Sequence, residues 1–212
     1  EGSSGNDNKN GGGGGDTLRG MAGDDVIDGG RPTDLDDNGA DYIEGGSGDD
    51  TISIHVGQAL GQAGNDSITI LDDGFARPDG QALSVQAFGH SGNDVIDARG
   101  TTGSHLLSGG SGNDIIFGNG NSVISAGSGA DVIYALTGDT IEGRLTAEDT
   151  LFLDGVEITG GLSDLPFRTA EGENFFWGHG GLYCSYHVPG SRFEPSPLDI
   201  SIQDYVFAVF FR

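Results

Sequence analysis

A nine-residue pattern constrains this chain more than any other feature of its sequence. The pattern reads Gly-Gly-x-Gly-x-Asp-x-U-x, where U is a large apolar residue, and the 212-residue chain contains 41 glycines. Seven good copies lie at 11–19, 20–28, 45–53, 61–69, 89–97, 109–117 and 126–134. A partial copy covers 39–44, and in-phase copies at 2–10 and 29–37 carry Lys9 and Asp36 in the apolar position. Such regularity predicts a fold built from repeated units.

Each copy predicts one turn followed by one short strand. Glycines permit a tight turn with positive φ that exposes backbone carbonyls, and the Asp-x-U-x end predicts a strand whose apolar residue faces inward. Two copies then form one flattened coil of about eighteen residues, in which alternate turns stack at about one strand spacing. The glycine density also argues against helices, because each glycine inside a helix costs about 0.5–1 kcal/mol relative to alanine.

The repeat resembles the RTX (repeats-in-toxin, haemolysin-type) calcium-binding family, and the resemblance covers most of residues 2–154. It implies an all-β, right-handed parallel β-roll that binds several Ca²⁺ ions, in a secreted bacterial protein. In that family, turn carbonyls and the motif aspartates of two stacked turns share each ion. Carried onto this sequence, the implied metal ligands are Asp7, Gly12, Gly14, Asp16, Gly23, Asp25, Asp34, Gly39, Asp41, Gly46, Gly48, Asp50, Gly64, Asp66, Gly92, Asp94, Gly110, Gly112, Asp114, Gly127, Gly129 and Asp131.

The chemistry of the repeats agrees with that implication. Turn carbonyls and aspartates supply hard oxygen ligands, about six to each ion, as Ca²⁺ requires, and the scarcity of His and Cys in the repeats disfavours zinc or copper. Residues 1–154 hold 33 of the glycines and a net charge of −20, a composition typical of a disordered chain when no cation is bound. We therefore expect calcium binding and folding to be one event.

The spacing of the motif aspartates predicts how they divide between the two edges of the roll. One edge is expected to carry Asp16, Asp34, Asp50, Asp66, Asp94, Asp114, Asp131 and Asp149. The other is expected to carry Asp7, Asp25 and Asp41, then the non-acidic positions Ala59, Ser104 and Ser122, and finally Asp139. Asp24, Asp28, Asp49, Asp97 and the pair 36–37 are expected to be solvated surface. The prediction is one row of ions, a degenerate second edge, and an outlooping insertion near 71–80.

Composition divides the chain into a roll at 1–154 and a capping segment at 155–212, which holds 11 of the 17 aromatic residues. Residues 138–155 resemble the segment that follows the roll in RTX proteases and epimerases, and 175–188 predict a hairpin around Gly180 and Gly181. The stretch from Asp204 resembles the C-terminal signal of type I secretion, although Arg212 departs from it, and a final strand of the cap is the alternative. His179, Cys184 and His187 match no zinc pattern and lack the partners of a thiol nucleophile.

These features favour a module whose function is calcium-dependent folding outside the cell, stabilising and assisting the export of a larger secreted protein. An excess of 33 acidic over 9 basic residues, for a net charge of −24, repels nucleic acid, and no apolar run is long enough to span a membrane. No catalytic motif is visible, so this region is not expected to be an enzyme. The alternatives are an accessory module that binds extracellular polysaccharide and a structural segment of an adhesin or surface layer. The first residues already lie inside a repeat, which suggests a fragment of a larger protein.

Overall fold

Two parallel sheets face each other in the computed structural model of the chain. It describes residues 1–31, 39–72, 83–143 and 145–158, and the backbone of two further strands, β17 and β18. The first sheet contains β1 (Asn8–Asn10), β3 (Val26–Asp28), β5 (Thr51–Ile54), β7 (Ser67–Ile70), β9 (Val95–Asp97), β11 (Ile115–Phe117), β13 (Val132–Ala135), β15 (Thr150–Leu153) and β16 (Val156–Ile158). The second contains β2 (Thr17–Ala22), β4 (Asp41–Ser47), β6 (Gly57–Ala63), β8 (Val85–Ser91), β10 (Leu106–Ser111), β12 (Val123–Ser128) and β14 (Thr140–Glu142).

The chain alternates between the two sheets, so each strand pairs in parallel with the strand two places along the sequence. Within these two sheets and the described residues, β16 alone departs from this rule, because it turns back and pairs with β15 in antiparallel fashion. The part of the chain that the structure describes contains no helix, and therefore none long and apolar enough to cross a membrane. The predicted all-β parallel β-roll is confirmed.

The apolar position of the repeat builds the core, as the sequence predicts. In the first sheet the register aligns one inward residue from each coil, and all but Lys9 are buried: Lys9, Ile27, Ile52, Ile68, Ile96, Ile116, Ile133 and Leu151. The second sheet supplies the facing column: Leu18, Ile43, Ala59, Ala87, Leu107, Ile124 and Ile141. Each fully buried isoleucine contributes about 1.5–3 kcal/mol from its removal from water.

Two stacks of turns join the sheets. Stack I contains the six-residue turns that precede the strands of the first sheet, at 2–7, 20–25, 45–50, 61–66, 89–94, 109–114 and 126–131, followed by the irregular turn 143–149. In all of the six-residue turns but the first, the first three residues are also the end of the preceding strand of the second sheet. Stack II contains the connections that precede the strands of the second sheet, whose described residues are 11–16, 29–31, 39–40, 55–56, 71–72, 83–84, 98–105, 118–122 and 136–139. Stack I is therefore nearly uniform, whereas the connections of stack II differ in length and sequence.

The predicted division of aspartates between the edges is wrong for the first coils. Asp7 and Asp25 lie in stack I with Asp50, because the Asp25 backbone N–H donates to Asp50 Oδ1. Asp16 lies in stack II, where its N–H donates to Asp41 Oδ1. The prediction assumed coils of about eighteen residues, whereas the coil from Asp25 to Asp50 is 25 residues long. Counting Asp34 as the turn before Asp50 therefore assigned the earlier aspartates to the wrong edges.

The predicted assignment to the two edges agrees better with the structure in the later coils, where each turn contributes one position, or rung, to its stack. Asp50, Asp66, Asp94, Asp114, Asp131 and Asp149 share stack I, and Ser122 and Asp139 are consecutive rungs of stack II. Ala59 is instead a core residue, and the rung expected near Ser104 is occupied by His105. Asp34 and most of the expected insertion near 71–80 lie outside the described residues.

The aromatic segment forms a hairpin as predicted, between β17 (Asn174–Gly178) and β18 (Gly181–Ser185), which pair in antiparallel fashion. Its first strand contacts β14, at the end of the second sheet. The side chain of Cys184 and the residues His179 and His187 lie outside the described part of the chain, as does the rest of the segment from 159 onward.

Candidate metal centres

The aspartates of stack I form one continuous column of hydrogen bonds. In each turn, the backbone N–H of the motif aspartate donates to Oδ1 of the aspartate in the next turn, over distances of 2.7–2.9 Å. The column runs through Asp7, Asp25, Asp50, Asp66, Asp94, Asp114, Asp131 and Asp149. From Asp25 onward, Oδ1 of each carboxylate accepts a hydrogen bond from the preceding coil, whereas Asp7 Oδ2 accepts from the Ser3 N–H of its own turn.

The other oxygen of these carboxylates is buried without a donor. Among the described residues, no hydrogen bond reaches the Oδ2 atoms of Asp25, Asp50, Asp66, Asp94, Asp114 and Asp131 in stack I, or that of Asp16 in stack II. A buried polar atom without a partner costs about 1–3 kcal/mol and more when charged, and neighbouring carboxylates repel each other. Cations between the turns would supply the missing partner, so the donor set fits Ca²⁺.

Glycine at the fourth position of each turn brings carbonyl oxygens to the same place. Gly48, Gly92 and Gly112 have φ between 125° and 132°, a region that other residues rarely adopt. A Cβ on Gly112 would overlap the carbonyl oxygen of Gly92, so that carbonyl is directed at the next turn. Similarly, a Cβ on Gly89 would overlap Asp94 Oδ2 and lie 2.7 Å from the carbonyl oxygen of Gly109. Carboxylate and carbonyl oxygens of successive turns thus converge on the space between them.

The predicted ligands are therefore brought together in two groups. Stack I collects Asp7, Gly23, Asp25, Gly46, Gly48, Asp50, Gly64, Asp66, Gly92, Asp94, Gly110, Gly112, Asp114, Gly127, Gly129 and Asp131, and stack II collects Gly12, Gly14, Asp16, Gly39 and Asp41. Among the described residues, no three His, Cys, Asp or Glu side chains cluster as a metal site. This is consistent with sites that draw on one carboxylate from each turn and on backbone carbonyls for the rest.

Burial perturbs the carboxylates of stack I strongly. It raises the pKa of Asp66 to about 7 and the pKa of Asp50 and Asp114 to about 6, with neighbouring aspartates adding to the effect. The pKa of Asp94 and of Asp131 is raised by the same burial. Hydrogen bonds from the backbone oppose this shift but do not cancel it. Without a cation, Asp50, Asp66 and Asp114 would therefore take up protons as the pH falls through about 7 to 6.

We expect calcium-driven folding to weaken as the pH falls from 8 to 6. In the metal-free roll these carboxyls have folded pKa values above the usual 3.8, so proton binding stabilises it below pH 3.8 and this stabilisation is lost as pH rises through about 6–7. Protons therefore compete with calcium in that window. Calcium titrations followed by circular dichroism at pH 8, 7 and 6 measure the effect, and a midpoint independent of pH would contradict it.

In the second half of stack II, the backbone supplies the hydrogen-bond donors of a buried carboxylate. Asp139 is fully buried, and its carboxylate accepts hydrogen bonds from the backbone N–H groups of Leu136, Gly120 and Ser122. Both oxygens of Asp139 are thus satisfied by the fold, in contrast to Asp131 in stack I. The degenerate second edge predicted from Ser122 agrees with this arrangement.

His105 replaces an aspartate in stack II. Its Nδ1 accepts a hydrogen bond from the backbone N–H of Val85 at 3.1 Å, the role that Oδ1 plays elsewhere, and its Nε2 lies 2.9 Å from Thr101 Oγ1. The Thr101 hydroxyl donates to the carbonyl of Ala98, so Nε2 is the protonated nitrogen. Burial lowers the pKa of His105 to about 4. A neutral imidazole therefore accepts the hydrogen bond at this position of stack II, and the position carries no negative charge for a cation to balance.

A second column of hydrogen bonds lies beside stack I, at a position that the nine-residue motif leaves unspecified. At the fifth position of the turns, Oδ1 accepts the backbone N–H of the same position in the next turn through Asn6, Asp24, Asp49, Asn65, Asn93 and Asn113. Asp24 and Asp49 were expected to be solvated surface; they are exposed, but they also hold neighbouring turns together. The recurrence of Asn or Asp immediately before the motif aspartate was the available signal.

Comparison with known proteins agrees with this geometry. A family model, the RTX calcium-binding nonapeptide repeat, matches four segments of the chain: 1–32, 36–53, 88–120 and 108–142. No curated protein is significantly similar to the chain. The matched segments contain six of the seven regular turns of stack I, and the turn 61–66 joins the same column without being matched.

Proposed function

Because this chain belongs to the family of RTX calcium-binding nonapeptide repeats, whose turns bind several Ca²⁺ ions, we propose that it is a module that calcium folds outside the cell. RTX repeats of this kind are characteristic of secreted proteins. The row of buried Oδ2 atoms without a donor carries the proposal, because it makes the folded chain unfavourable until cations enter. No catalytic role is proposed for the roll.

The structure supports an ion count. Seven regular turns of stack I enclose six gaps, and six of their aspartates have an unpartnered Oδ2. Among the residues of stack II that the structure describes, Asp16 alone has one, and its backbone N–H donates to Asp41 Oδ1 across a single gap. We therefore propose six ions along stack I and one between the first two rungs of stack II. Asp139 would hold none, since the backbone satisfies its carboxylate.

Two neighbouring substitutions test these sites. Asp50→Asn removes the charge of the buried rung, and Asp49→Asn makes the same change one residue earlier, where Asn65 and Asn93 already serve in other coils. We expect Asp50→Asn to lose at least one ion and to raise the calcium midpoint about tenfold, a cost of about 1.4 kcal/mol. Asp49→Asn should keep the stoichiometry. Isothermal titration calorimetry measures both, and equal effects would refute the assignment.

We further propose that residues 159–212 cap the roll. Leu153 and Ile158 pack against the core only partly, and Val156 leaves 47% of its surface exposed, so the described residues leave an apolar end after β15. The 11 aromatic residues from 159 onward are sufficient to cover it, and an open end would fray or offer strand edges for aggregation.

Two truncations separate the cap from an export signal. Deleting 159–212 should raise the calcium concentration needed for folding, because the last coil loses its cover. Deleting only 205–212 should affect folding less and should abolish export by a type I apparatus, if that stretch is the signal. Undiminished calcium affinity in the first truncation would remove the capping role, and continued export of the second would remove the signal.

The polysaccharide-binding alternative receives less support from the described surface. Phe117, Tyr134 and Phe152 stack face to face along the first sheet with ring centroids 4.7 Å apart, and the Arg99 guanidinium lies over the Phe117 ring. Their faces cover each other, whereas sugar stacking needs a free aromatic face. The ladder holds the last three coils together instead, with a contribution of about 0.5–1.5 kcal/mol for each pair.

A further inference from the structure

One connection of stack II contains an asparagine followed directly by a glycine, and the fold uses both residues. Asn119 Nδ2 donates to the carbonyl oxygen of Gly103 at 2.7 Å and to Thr101 Oγ1 at 3.0 Å, in the preceding connection of the stack. Its Oδ1 accepts the hydroxyl of Ser122 at 2.7 Å. Gly120 has a φ of 89°, a conformation that residues with a Cβ rarely adopt. The packing of stack II therefore selects the dipeptide Asn-Gly at this place.

The same dipeptide is open to deamidation, because a glycine places no side chain in the way of its own backbone nitrogen. In this reaction the nitrogen of Gly120 attacks Cγ of Asn119, so that an N–Cγ bond forms and the Cγ–Nδ2 bond breaks. Nδ2 leaves as ammonia with the hydrogen of the backbone nitrogen. Water then opens the resulting succinimide to aspartate or to isoaspartate, and no other reactant is needed.

The folded roll holds both reacting groups. The backbone N–H of Gly120 donates at 2.9 Å to Oδ1 of Asp139, which is fully buried. This nitrogen must lose its hydrogen during the attack, and a hydrogen bond to a carboxylate opposes that loss. The leaving nitrogen, Nδ2 of Asn119, must also give up its bonds to Gly103 and Thr101. Deamidation therefore requires the contacts of stack II to open first.

The product would not fit the contacts that the asparagine makes. A carboxylate oxygen in the place of Nδ2 would face the carbonyl oxygen of Gly103 and the hydroxyl of Thr101. That hydroxyl gives its own hydrogen to the carbonyl of Ala98, so neither group could donate to the new oxygen, which would be left without a partner. Isoaspartate would also lengthen the backbone by one carbon atom before Gly120.

We propose that Asn119 is a modification site, which deamidates while the chain is unfolded and is closed to the reaction once the calcium-loaded roll has formed. A chain kept without calcium then loses its capacity to fold with time, whereas a folded chain retains it. This inference rests on the proposed function only in naming calcium as the agent that folds the chain. The site is separate from the ions, since no ion is proposed at the rung of Asp139.

The first experiment incubates the full chain at mildly alkaline pH in calcium, in chelator, and in calcium with enough urea to unfold it. Mass spectrometry of peptides then measures deamidation at Asn119. We expect its rate to be at least about tenfold lower in calcium than in the two other samples. Equal rates in calcium and in urea would overturn the inference.

Circular dichroism at the start of each incubation separates this inference from the proposed function. A chelator sample that is already folded would contradict calcium-dependent folding alone. The comparison of the calcium sample with the urea sample would then still decide whether the fold protects Asn119.

The second experiment asks whether the modified chain can still fold. Calcium is added to the chain incubated in chelator, and size exclusion separates the compact fraction from the rest. Asn119 should be intact in the compact fraction and enriched in its modified form in the remainder. Reaction at the other two Asn-Gly pairs, 10–11 and 38–39, cannot produce this difference. Equal modification of Asn119 in both fractions would refute the proposed loss of folding.

Asn119→Asp isolates the product, and Asn121→Asp is its matched control, because it adds the same charge at an exposed side chain two residues later. We expect the calcium midpoint to rise at least about tenfold for Asn119→Asp and less than about twofold for Asn121→Asp. Similar midpoints for the two variants would count against the proposal. If Asn119→Asp does not fold at any calcium concentration, the comparison of fractions decides, since it uses the unmodified sequence.

Discussion

We expect the chain in a chelator to give the circular dichroism spectrum of a disordered polypeptide. Added calcium should convert this spectrum to that of a β protein. Folding without ions would bury a row of carboxylates whose Oδ2 atoms have no donor, within a chain of net charge −24. The isoleucine columns do not offset this alone, because nearly one residue in five is a glycine with no side chain to bury. The cations therefore complete the fold.

The transition should fall in the range of about 10⁻⁴–10⁻³ M that is typical of extracellular calcium modules. Magnesium is the control, since it demands a smaller octahedral site and gives up its water reluctantly, so the same concentration should leave the chain disordered. A β spectrum that is complete in chelator and unchanged by calcium would refute the coupling.

The second large effect is expected from Gly112→Ala. A Cβ at this position would overlap the carbonyl oxygen of Gly92, and Gly112 has a φ of 126°. The conformation alone costs about 1–3 kcal/mol for an alanine, and relieving the overlap requires two stacked turns to move apart. We expect the calcium midpoint to rise more than tenfold, or folding to fail at millimolar calcium.

Gly5→Ala is the matched control, because Gly5 holds the same motif position in the first turn of stack I. No heavy atom lies within 4 Å of the place its Cβ would take, and its φ is not in the left-handed region. Its calcium midpoint should therefore change less than about twofold, which corresponds to about 0.4 kcal/mol. If the two alanine variants behave alike, close stacking of the turns is not what selects glycine at this position.

The repeat was sufficient to predict the strands, the core columns and the motif aspartates of stack I, since these depend on spacing within one copy. The assignment of Asp7 and Asp16 to their edges depended on spacing between copies, and a single coil of unusual length reversed it. His105 was missed because an imidazole that replaces a carboxylate leaves no trace in the motif. Asp139 was placed on its rung, but its saturated carboxylate is visible only in three dimensions.

The coil lengths show where this protein tolerates change. Measured from one stack I aspartate to the next, successive coils contain 18, 25, 16, 28, 20, 17 and 18 residues, although all seven regular turns have six. The variation in length therefore falls on the part of each coil that lies outside these six-residue turns. The turns of stack I keep one length, whereas the rest of each coil accepts loops of different length and sequence. A peptide grafted between β7 and β8 would be displayed outside those turns, with every rung of stack I left in place.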